Sequence, residues 1–351
     1  FKFIEMTIRL ILFILLLQSG NLFADTYITE NIISDTRWTR ANSPYIIVND
    51  ISVKEGAVLM IEPGTTVLFS YHTMINIYGT LTAKGSRNKK IIFKGKNSGA
   101  WNGFDYHKGC GNYDTLSNSG CVFEFCHFYG SGDAPDNLIR TQGCTLKMEN
   151  CWVENCYTAV HSERQAKIYL FRNTFLNCDR PVNISNTSLG IISENRFKEC
   201  NSILLGGTTD FYKNRLEHFT DKGRHSGLII RMIGGAVVTV EKNEFKSFKG
   251  NAVKVYKMSR RSTFIMTENN FKKNYINLNL SCEAAGIGKL QIENNNFGQT
   301  INNQLIIDQC DSGKSYRIGP NYWEAEDLNF EKTEIEPPLE KKVKILKKSE
   351  N

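Results

Sequence analysis

Carboxylates, histidines and cysteines are the side chains with which this chain of 351 residues could do chemistry. Hydrolysis of a glycosidic bond needs two carboxylates at a fixed separation, usually on one strand face across adjacent turns of a coil. The acidic candidates are instead scattered singly along the sequence: Asp133, Asp136, Asp179, Asp210, Asp221 and Asp308. The sequence also lacks a His-Glu-x-x-His motif, a Gly-x-Ser-x-Gly motif and a glycine-rich phosphate loop. It therefore predicts no catalytic residue and no cofactor.

Ten cysteines occur, an even number that would permit full pairing in an oxidising compartment. Cys178 and Cys200 share a repeat position that phenylalanine takes in later turns, so we expect buried thiols there. Cys110 and Cys121 bracket a loop rich in Gly, Asn and Ser, and they are the candidate disulfide. The spacing from Cys121 to Cys126 is compatible with zinc, but the repeat described below accounts for Cys126. No metal site is predicted.

The region between residues 96 and 136 contains the residues that could contact a ligand. It has the least regular pattern of the chain, and long insertions between turns are where solenoids place binding loops. The candidate ligand surface consists of Tyr106, His107, Tyr113 and Tyr129. The alternative is that these aromatic rings pack over the flank of the fold.

A repeated phrase predicts the elements that would position these residues. A few β-forming residues are followed by Asn, one variable residue and an aromatic residue, at intervals of 19 to 29 residues. The Asn residues of the copies are predicted to form a structural ladder: Asn150, Asn173, Asn195, Asn214, Asn243, Asn269, Asn295 and Asn321. At residue 126 the same phrase has Cys in place of Asn.

The physical chemistry of this phrase favours a coil of strands. Asn tolerates a left-handed backbone, so we expect it to turn the corner between two strands, and its amide can bond the Asn of the next turn. The aromatic residue that follows is expected to point inward and stack on its counterpart. Helical repeats are disfavoured because the segments are rich in Asn, Thr, Phe and Ile. The predicted fold is an all-β parallel solenoid of roughly 12 turns, and a sandwich of irregular hairpins is the alternative.

Four motifs near the start of the body follow one after another: Ser43-Pro44-Tyr45, Leu59-Met60-Ile61-Glu62-Pro63-Gly64, the alternating run from Ile75 to Gly85, and Ile91-Ile92-Phe93. They resemble the N-terminal portion of secreted right-handed parallel β-helix repeat proteins of the pectin-lyase-like superfamily. The Asn321-Tyr322-Trp323 segment resembles the closing turn of that family, so the match covers nearly all of residues 38–325. The chain is also similar to β-helix segments of bark-beetle-type animal junction proteins. The resemblance implies a right-handed parallel β-helix, but it implies no particular activity.

The first 24 residues have the pattern of a secretory signal peptide. Arg9 precedes eight consecutive apolar residues, 10–17, and Ala24 precedes a polar residue. The apolar run is shorter than the roughly 20 residues that span a bilayer, so no transmembrane segment is expected after cleavage. We expect residues 25–330 to form one β-helix domain and residues 331–351 to form a charged C-terminal tail.

Charge excludes one class of partner. Of the formal net charge of +7, four charges lie in residues 1–24 and 337–351, which leaves too little on the body to predict nucleic-acid binding. The resulting hypothesis is a monomeric, exported, non-catalytic protein at the cell surface or outside the cell. It would serve as a binding, adhesion or structural module for a glycan or an extracellular protein. The alternative is a polysaccharide lyase or glycoside hydrolase with a divergent active site. A groove with two or three carboxylates, or with a carboxylate and Arg or Lys, within about 10 Å would favour the enzyme, and a smooth flank of Asn, Thr and aromatic residues would favour binding.

Overall fold

The structure, a computed structural model, describes residues 25–130, 137–220, 227–280, 288–307, 316–324 and 333–335. The predicted signal peptide and most of the predicted tail lie outside these residues. The described residues form 37 β-strands and two short 3-10 helices, Arg40–Asn42 and Lys96–Ser98. In this part of the chain, no helix combines the length and the apolarity needed to cross a membrane.

Most strands belong to three long parallel sheets. Sheet A contains β1 (Thr26–Ile28), β3 (Tyr45–Ile47), β6 (Thr66–Phe69), β9 (Ile91–Gly95), β12 (Cys126–Tyr129), β15 (Trp152–Glu154), β18 (Thr174–Leu176), β21 (Arg196–Lys198), β24 (Arg215–Glu217), β27 (Glu244–Lys246), β30 (Asn270–Lys272), β33 (Asn296–Phe297) and β36 (Tyr322–Trp323). Sheet B contains β4 (Ile51–Val53), β7 (Met74–Ile77), β10 (Gly103–Tyr106), β13 (Asn137–Gln142), β16 (Thr158–Glu163), β19 (Arg180–Ile184), β22 (Ser202–Leu205), β25 (Gly227–Met232), β28 (Asn251–Met258), β31 (Asn274–Leu280) and β34 (Thr300–Ile307). Sheet C contains β2 (Thr36–Trp38), β5 (Val58–Ile61), β8 (Thr80–Lys84), β11 (Val122–Glu124), β14 (Thr145–Glu149), β17 (Lys167–Phe171), β20 (Leu189–Ser193), β23 (Thr208–Tyr212), β26 (Val237–Glu241), β29 (Thr263–Thr267) and β32 (Lys289–Glu293). A separate pair is formed by β35 (Tyr316–Ile318) and β37 (Thr333–Ile335).

Successive strands pass from sheet C to sheet A to sheet B and then return to sheet C one level along the stack. Eleven strands stacked in one sheet are separated by ten revolutions, slightly fewer than the roughly 12 turns expected. The prediction of an all-β parallel solenoid is confirmed. The hairpin sandwich is excluded for the described turns, because every pair of neighbouring strands in the three sheets runs parallel.

The interior of the coil is filled by the inward-facing residue of every second position. Aromatic rings stack along sheet A from turn to turn, with ring centroids 5.0 Å apart for Phe175 and Phe197 and 4.7 Å apart for Phe245 and Phe271. This arrangement buries large side chains in one continuous core. Each turn therefore depends on its neighbours for burial, as in other repeat proteins.

A ladder of buried asparagines lies beside this aromatic stack, along the corner between sheets C and A. It consists of Asn173, Asn195, Asn214, Asn243, Asn269, Asn295 and Asn321. In each step, the backbone N–H and the side-chain Nδ2 of one Asn both donate to Oδ1 of the Asn in the next turn, at 2.8 to 3.1 Å. The amides thus satisfy both the corner backbone and each other in a water-free interior.

Asn150 does not belong to this ladder, which corrects the prediction. The strand register pairs Trp152 with Thr174, so Cys151 aligns with the ladder residue Asn173. The Cys151 backbone N–H donates to Asn173 Oδ1 at 2.9 Å. Asn150 lies one residue earlier and adopts φ of 54°. Alignment of the phrase by its Asn alone therefore placed this copy one residue out of register.

The left-handed residue at each corner is also different from the one expected. Ladder asparagines do not have positive φ; from Asn173 to Asn295 the residue immediately before each of them does, as at Arg172 with φ of 54° and Glu268 with φ of 56°, whereas Pro320 precedes Asn321. From β14 onward, every connection from sheet C to sheet A has two residues, a left-handed residue and the ladder residue. The backbone bends at the first, and the side chain of the second holds the bend to its neighbours.

Candidate functional site

The outer face of sheet B has two adjacent columns of polar and aromatic residues. One column places Asn76, Asp105, Arg140 and His161 on successive strands, in register. The other runs two positions further along the same strands. We name the interacting part of both columns the B-face network: Asn76, Tyr78, Asp105, His107, Arg140, Gln142 and Glu163. Strand alternation brings these residues to one face, because their neighbours in sequence point into the core.

Asp105 lies at the centre of the B-face network. Gln142 Nε2 donates to both of its carboxylate oxygens, at 2.9 and 3.1 Å. Arg140 Nη1 lies 3.7 Å and His107 Nε2 lies 3.8 Å from Asp105 Oδ2. The carboxylate side chain is 16% exposed, so its oxygens are held in place by protein groups but remain open to solvent on one side.

Arg140 connects Asp105 to a second carboxylate. Its Nη2 and Nε donate to Glu163 Oε1 at 2.6 and 3.0 Å. The guanidinium therefore lies between two acids on strands β10 and β16 and balances part of their charge. Lys54, at the N-terminal end of the second column, supplies another positive charge near the network. Together, Asp105, Glu163, Arg140 and Lys54 carry no net charge.

A stacked pair of rings forms the edge of the network. The Tyr78 and His107 ring centroids are 4.3 Å apart with an interplanar angle of 6°, and Tyr78 is 40% exposed. His107 Nε2 lies 3.1 Å from Asn76 Oδ1, within hydrogen-bond distance. Lys54 Nζ lies 6.0 Å from the Tyr78 ring centroid. The result is a fixed aromatic surface beside hydrogen-bonding groups.

His161 extends the first column by one turn. The pKa of His161 is lowered, mainly by burial. The Glu163 carboxylate opposes this effect, and the charges of Arg140 and Arg180 add to it. The imidazole is therefore neutral at neutral pH and offers one donor and one acceptor.

Only one of the four residues predicted to form the ligand surface belongs to this network. His107 lies on the outer face of sheet B, whereas Tyr106, the preceding residue, points into the core and is fully buried. Tyr113 is buried against Tyr169, with ring centroids 5.7 Å apart. Tyr129 is on the outer face of sheet A, stacked on His127 at 3.8 Å. The predicted surface is wrong as a group, because strand alternation and the loop fold send its members to different faces.

The structure has thiols at both of the cysteine pairs considered above. Cys178 and Cys200 are buried free thiols in the interior, as expected. Cys110 and Cys121 are also free, with their Sγ atoms 4.0 Å apart, against about 2.05 Å in a disulfide. Among the described residues, no three His, Cys, Asp or Glu side chains converge to form a metal site.

Most of the acidic candidates lie away from the B-face network or outside the described residues. Four of them lie outside the described residues: Asp133, Asp136, Asp221 and Asp308. Asp210 is exposed on the outer face of sheet C, in an open depression of about 430 Å³ that Glu241 and Lys242 also line. Glu241 forms an ion pair with Lys242 there. Asp179 lies in the connection between β18 and β19, where its backbone N–H donates to the Cys156 carbonyl oxygen at 2.9 Å. Neither of the two described candidates, Asp179 and Asp210, therefore belongs to the B-face network.

Sequence reasoning did not identify Asp105, Arg140, Gln142 and Glu163 as a group. Asp105 and Arg140 are direct neighbours across β10 and β13, yet 35 residues separate them, more than the 19 to 29 of the repeat. The long connection between β10 and β11 hides this register. The alternation of polar residues in each strand was the available signal, but it does not say which strands are adjacent.

Comparison with known proteins gives a limited result. No protein-family model matches the chain. A segment of 69 residues, 20% of the chain, is 39% identical to Protein bark beetle of Drosophila melanogaster. The matched segment spans 2% of the length of that protein, so the likeness concerns a small portion of it.

Proposed function

We propose that this protein is a non-catalytic extracellular module that binds a neutral glycan on the outer face of sheet B. The observation that carries the proposal is the B-face network, in which a stacked, exposed ring pair adjoins several oriented polar groups. Small-molecule sites combine an apolar or aromatic surface with a few well-placed polar groups, and this face has both.

The chemistry of a sugar suits the arrangement. The apolar C–H face of a pyranose ring would lie against the exposed part of the Tyr78 ring, which His107 covers on one face and holds in place. Hydroxyl groups would then meet the amide of Asn76 and the carboxylate of Asp105. Amides and carboxylates supply the acceptors, and amides and guanidinium the donors, that a hydroxyl can use. Because the ionised groups balance, a neutral sugar is favoured over an acidic one.

Glycoside hydrolysis is the second candidate, since Asp105 and Glu163 lie on one face. Each contacts the same guanidinium, at 3.7 and 2.6 Å, so the two carboxylates lie at most about 9 Å apart, a limit that includes the separations of both retaining and inverting glycosidases. Carboxylates beside an arginine are the combination expected to favour an enzyme, and this face has it. Against catalysis, Arg140 lies between the two carboxylates, where the glycosidic oxygen and a water would have to be. We therefore rank binding above hydrolysis.

The proposal also includes export from the cell and membership of a protein family. The N-terminal pattern of residues 1–24 supports export, and the parallel solenoid together with the motifs of residues 38–93 supports membership of the right-handed, pectin-lyase-like group. A binding module needs no chemistry beyond the face that has been described.

The test is a glycan array with neutral hexose oligosaccharides and, for comparison, uronic-acid oligosaccharides, followed by calorimetry with the best binder. We expect neutral glycans to bind, and we expect Tyr78→Ala to weaken the affinity at least about tenfold, as for an anchoring residue. Tyr275→Ala is the matched control, because Tyr275 lies in the same sheet, in β31, and is 41% exposed against 40% for Tyr78.

Two results would contradict the proposal. One is the absence of binding to any neutral glycan on the array; the other is an equal loss of affinity in Tyr78→Ala and Tyr275→Ala. Release of reducing ends from the bound glycan, abolished by Asp105→Asn and by Glu163→Gln, would instead establish the hydrolase.

A further inference from the structure

Cys110 and Cys121 lie at the two ends of a loop that closes on itself. The Cys121 N–H donates to the Gly111 carbonyl oxygen at 2.9 Å, and the two Sγ atoms are 4.0 Å apart. Backbone hydrogen bonds thus already hold the loop ends together before any covalent bond exists. Joining the sulfurs requires them to approach by about 2 Å, from 4.0 Å to the roughly 2.05 Å of a disulfide.

The other thiol contacts have a less suitable geometry. Cys156, Cys178 and Cys200 occupy one position in three successive turns, with Asp179 N–H bonded to the Cys156 carbonyl at 2.9 Å. Because in-register residues of stacked strands direct their Cα–Cβ bonds in parallel, their geometry disfavours a disulfide. Cys110 and Cys121 are not related by the stack, since they flank one loop within one turn.

We propose that Cys110 and Cys121 form a single disulfide when the chain folds in the presence of a small-molecule disulfide such as oxidised glutathione, and that the other described thiols stay reduced. One protein thiolate attacks the oxidant disulfide and displaces one glutathione thiolate, giving a mixed disulfide. The second protein thiolate then attacks the protein sulfur of that mixed disulfide and displaces the second glutathione. The two cysteine protons pass to solvent, and one oxidant disulfide is reduced to two thiols.

Burial determines when this exchange takes place. Cys110 and Cys121 are 2% and 0% exposed. A hydrogen bond with Cys110 and burial both raise the pKa of the Cys121 thiol. Because the thiolate is the attacking species, the folded protein reacts slowly, and the bond forms during folding. Native protein mixed with oxidised glutathione at neutral pH is therefore expected to stay reduced, whereas refolding protein becomes oxidised.

The loop between the two cysteines gives a direct readout. Leu116 is 96% exposed within it, so a protease of chymotrypsin type can cut the folded chain there. A disulfide between Cys110 and Cys121 would hold the two fragments together without reductant and release them with reductant. Without the disulfide, the fragments separate on a denaturing gel in both conditions.

The experiment refolds the full chain in oxidised and reduced glutathione, blocks free thiols with iodoacetamide, and maps the linked peptides by mass spectrometry. Cys110→Ser is the test variant. Cys144→Ser is the matched control, because Cys144 is equally buried and also contacts Cys110. We expect the wild type and Cys144→Ser to give the Cys110–Cys121 peptide, and Cys110→Ser to lack it and to release its fragments after cleavage at Leu116.

Alkylation of both Cys110 and Cys121 in the refolded wild type would overturn the proposal. Loss of the linked peptide in Cys144→Ser, or a link from Cys110 to Cys144, would also overturn it. The peptide map of the wild type decides the matter even if a variant fails to refold. None of these outcomes depends on whether the protein binds a glycan.

Discussion

Asn269→Ala tests the energetic role of the ladder. Asn269 is fully buried, and its Oδ1 accepts from the backbone N–H and Nδ2 of Asn243 at 2.9 and 3.0 Å. Its Nδ2 donates to the carbonyl oxygens of Val240 and Thr267 and to Asn295 Oδ1 at 2.8 to 3.0 Å. Alanine removes all five hydrogen bonds without changing the backbone requirement, because Asn269 does not have a positive φ.

The magnitude follows from what is left without a partner. The Asn243 N–H loses its acceptor, and a buried orphan donor costs about 1–3 kcal/mol. Asn243 Nδ2 keeps the Phe211 carbonyl oxygen at 2.9 Å, so only its second hydrogen bond is lost. With the net worth of the remaining bonds, we expect a loss of about 3 kcal/mol in the free energy of unfolding. For roughly 300 ordered residues this corresponds to a fall of about 5 °C in Tm.

Two measurements check this expectation, thermal unfolding and amide hydrogen exchange. Asn270→Ala is the control, since Asn270 is the next residue and its side chain faces outward and is partly exposed. Hydrogen exchange has an internal reference: the Asn243 amide should exchange faster in Asn269→Ala, while the Asn214 amide keeps its acceptor, Asn243 Oδ1. If the free energies of unfolding of Asn269→Ala and Asn270→Ala differ by less than about 0.5 kcal/mol, the ladder does not stabilise the coil as we argue.

Three further predictions concern other parts of the fold. Burial raises the pKa of Glu217, but hydrogen bonds from Arg215 and Arg196 outweigh it and lower the pKa overall. The free energy of unfolding should therefore fall as the pH drops below about 4.3, and melting curves of Glu217→Gln should show a weaker pH dependence. Burial lowers the pKa of His127 more than Glu154 raises it, so the free energy of unfolding should decrease when acidification protonates the imidazole. An NMR titration midpoint of His127 at or above about 6.5 would contradict this. Gly79→Ala places Cβ 2.3 Å from two backbone carbonyl oxygens and should lower the free energy of unfolding by more than about 2 kcal/mol. Gly234→Ala, whose Cβ has its nearest atom 3.9 Å away, should stay within about 0.5 kcal/mol of the wild type in thermal unfolding.

The fold could be predicted from sequence because its signals are local. Alternation of apolar residues within five positions identifies a strand, and the recurring Asn phrase identifies the corner. The identity of the left-handed residue could not be predicted in this way. Arg172 and Glu268 have no intrinsic preference for positive φ, and they adopt it because the buried Asn after each of them fixes the bend.

The candidate site could not be predicted because its contacts are lateral. On a solenoid, neighbours in space are one turn apart in sequence, and the turn that carries Asp105 has a long connection before the next strand. The same irregularity that drew attention to residues 96–136 therefore concealed which residues of that region are adjacent. The aromatic content of the region pointed toward His107 but also toward Tyr106, which alternation sends to the core.

From β14 onward, the connection between sheets C and A keeps a length of two residues, and this has a consequence for how the architecture can diversify. All the longest connections between described strands, such as those after β10, β12, β24 and β31, enter or leave sheet B instead. One edge of the column thus acts as a rigid spine, while the two edges that border sheet B accept segments of varying length without shifting the stack. Foreign loops grafted at those edges should be displayed around a single face, so new specificities could arise there while the spine stays unaltered.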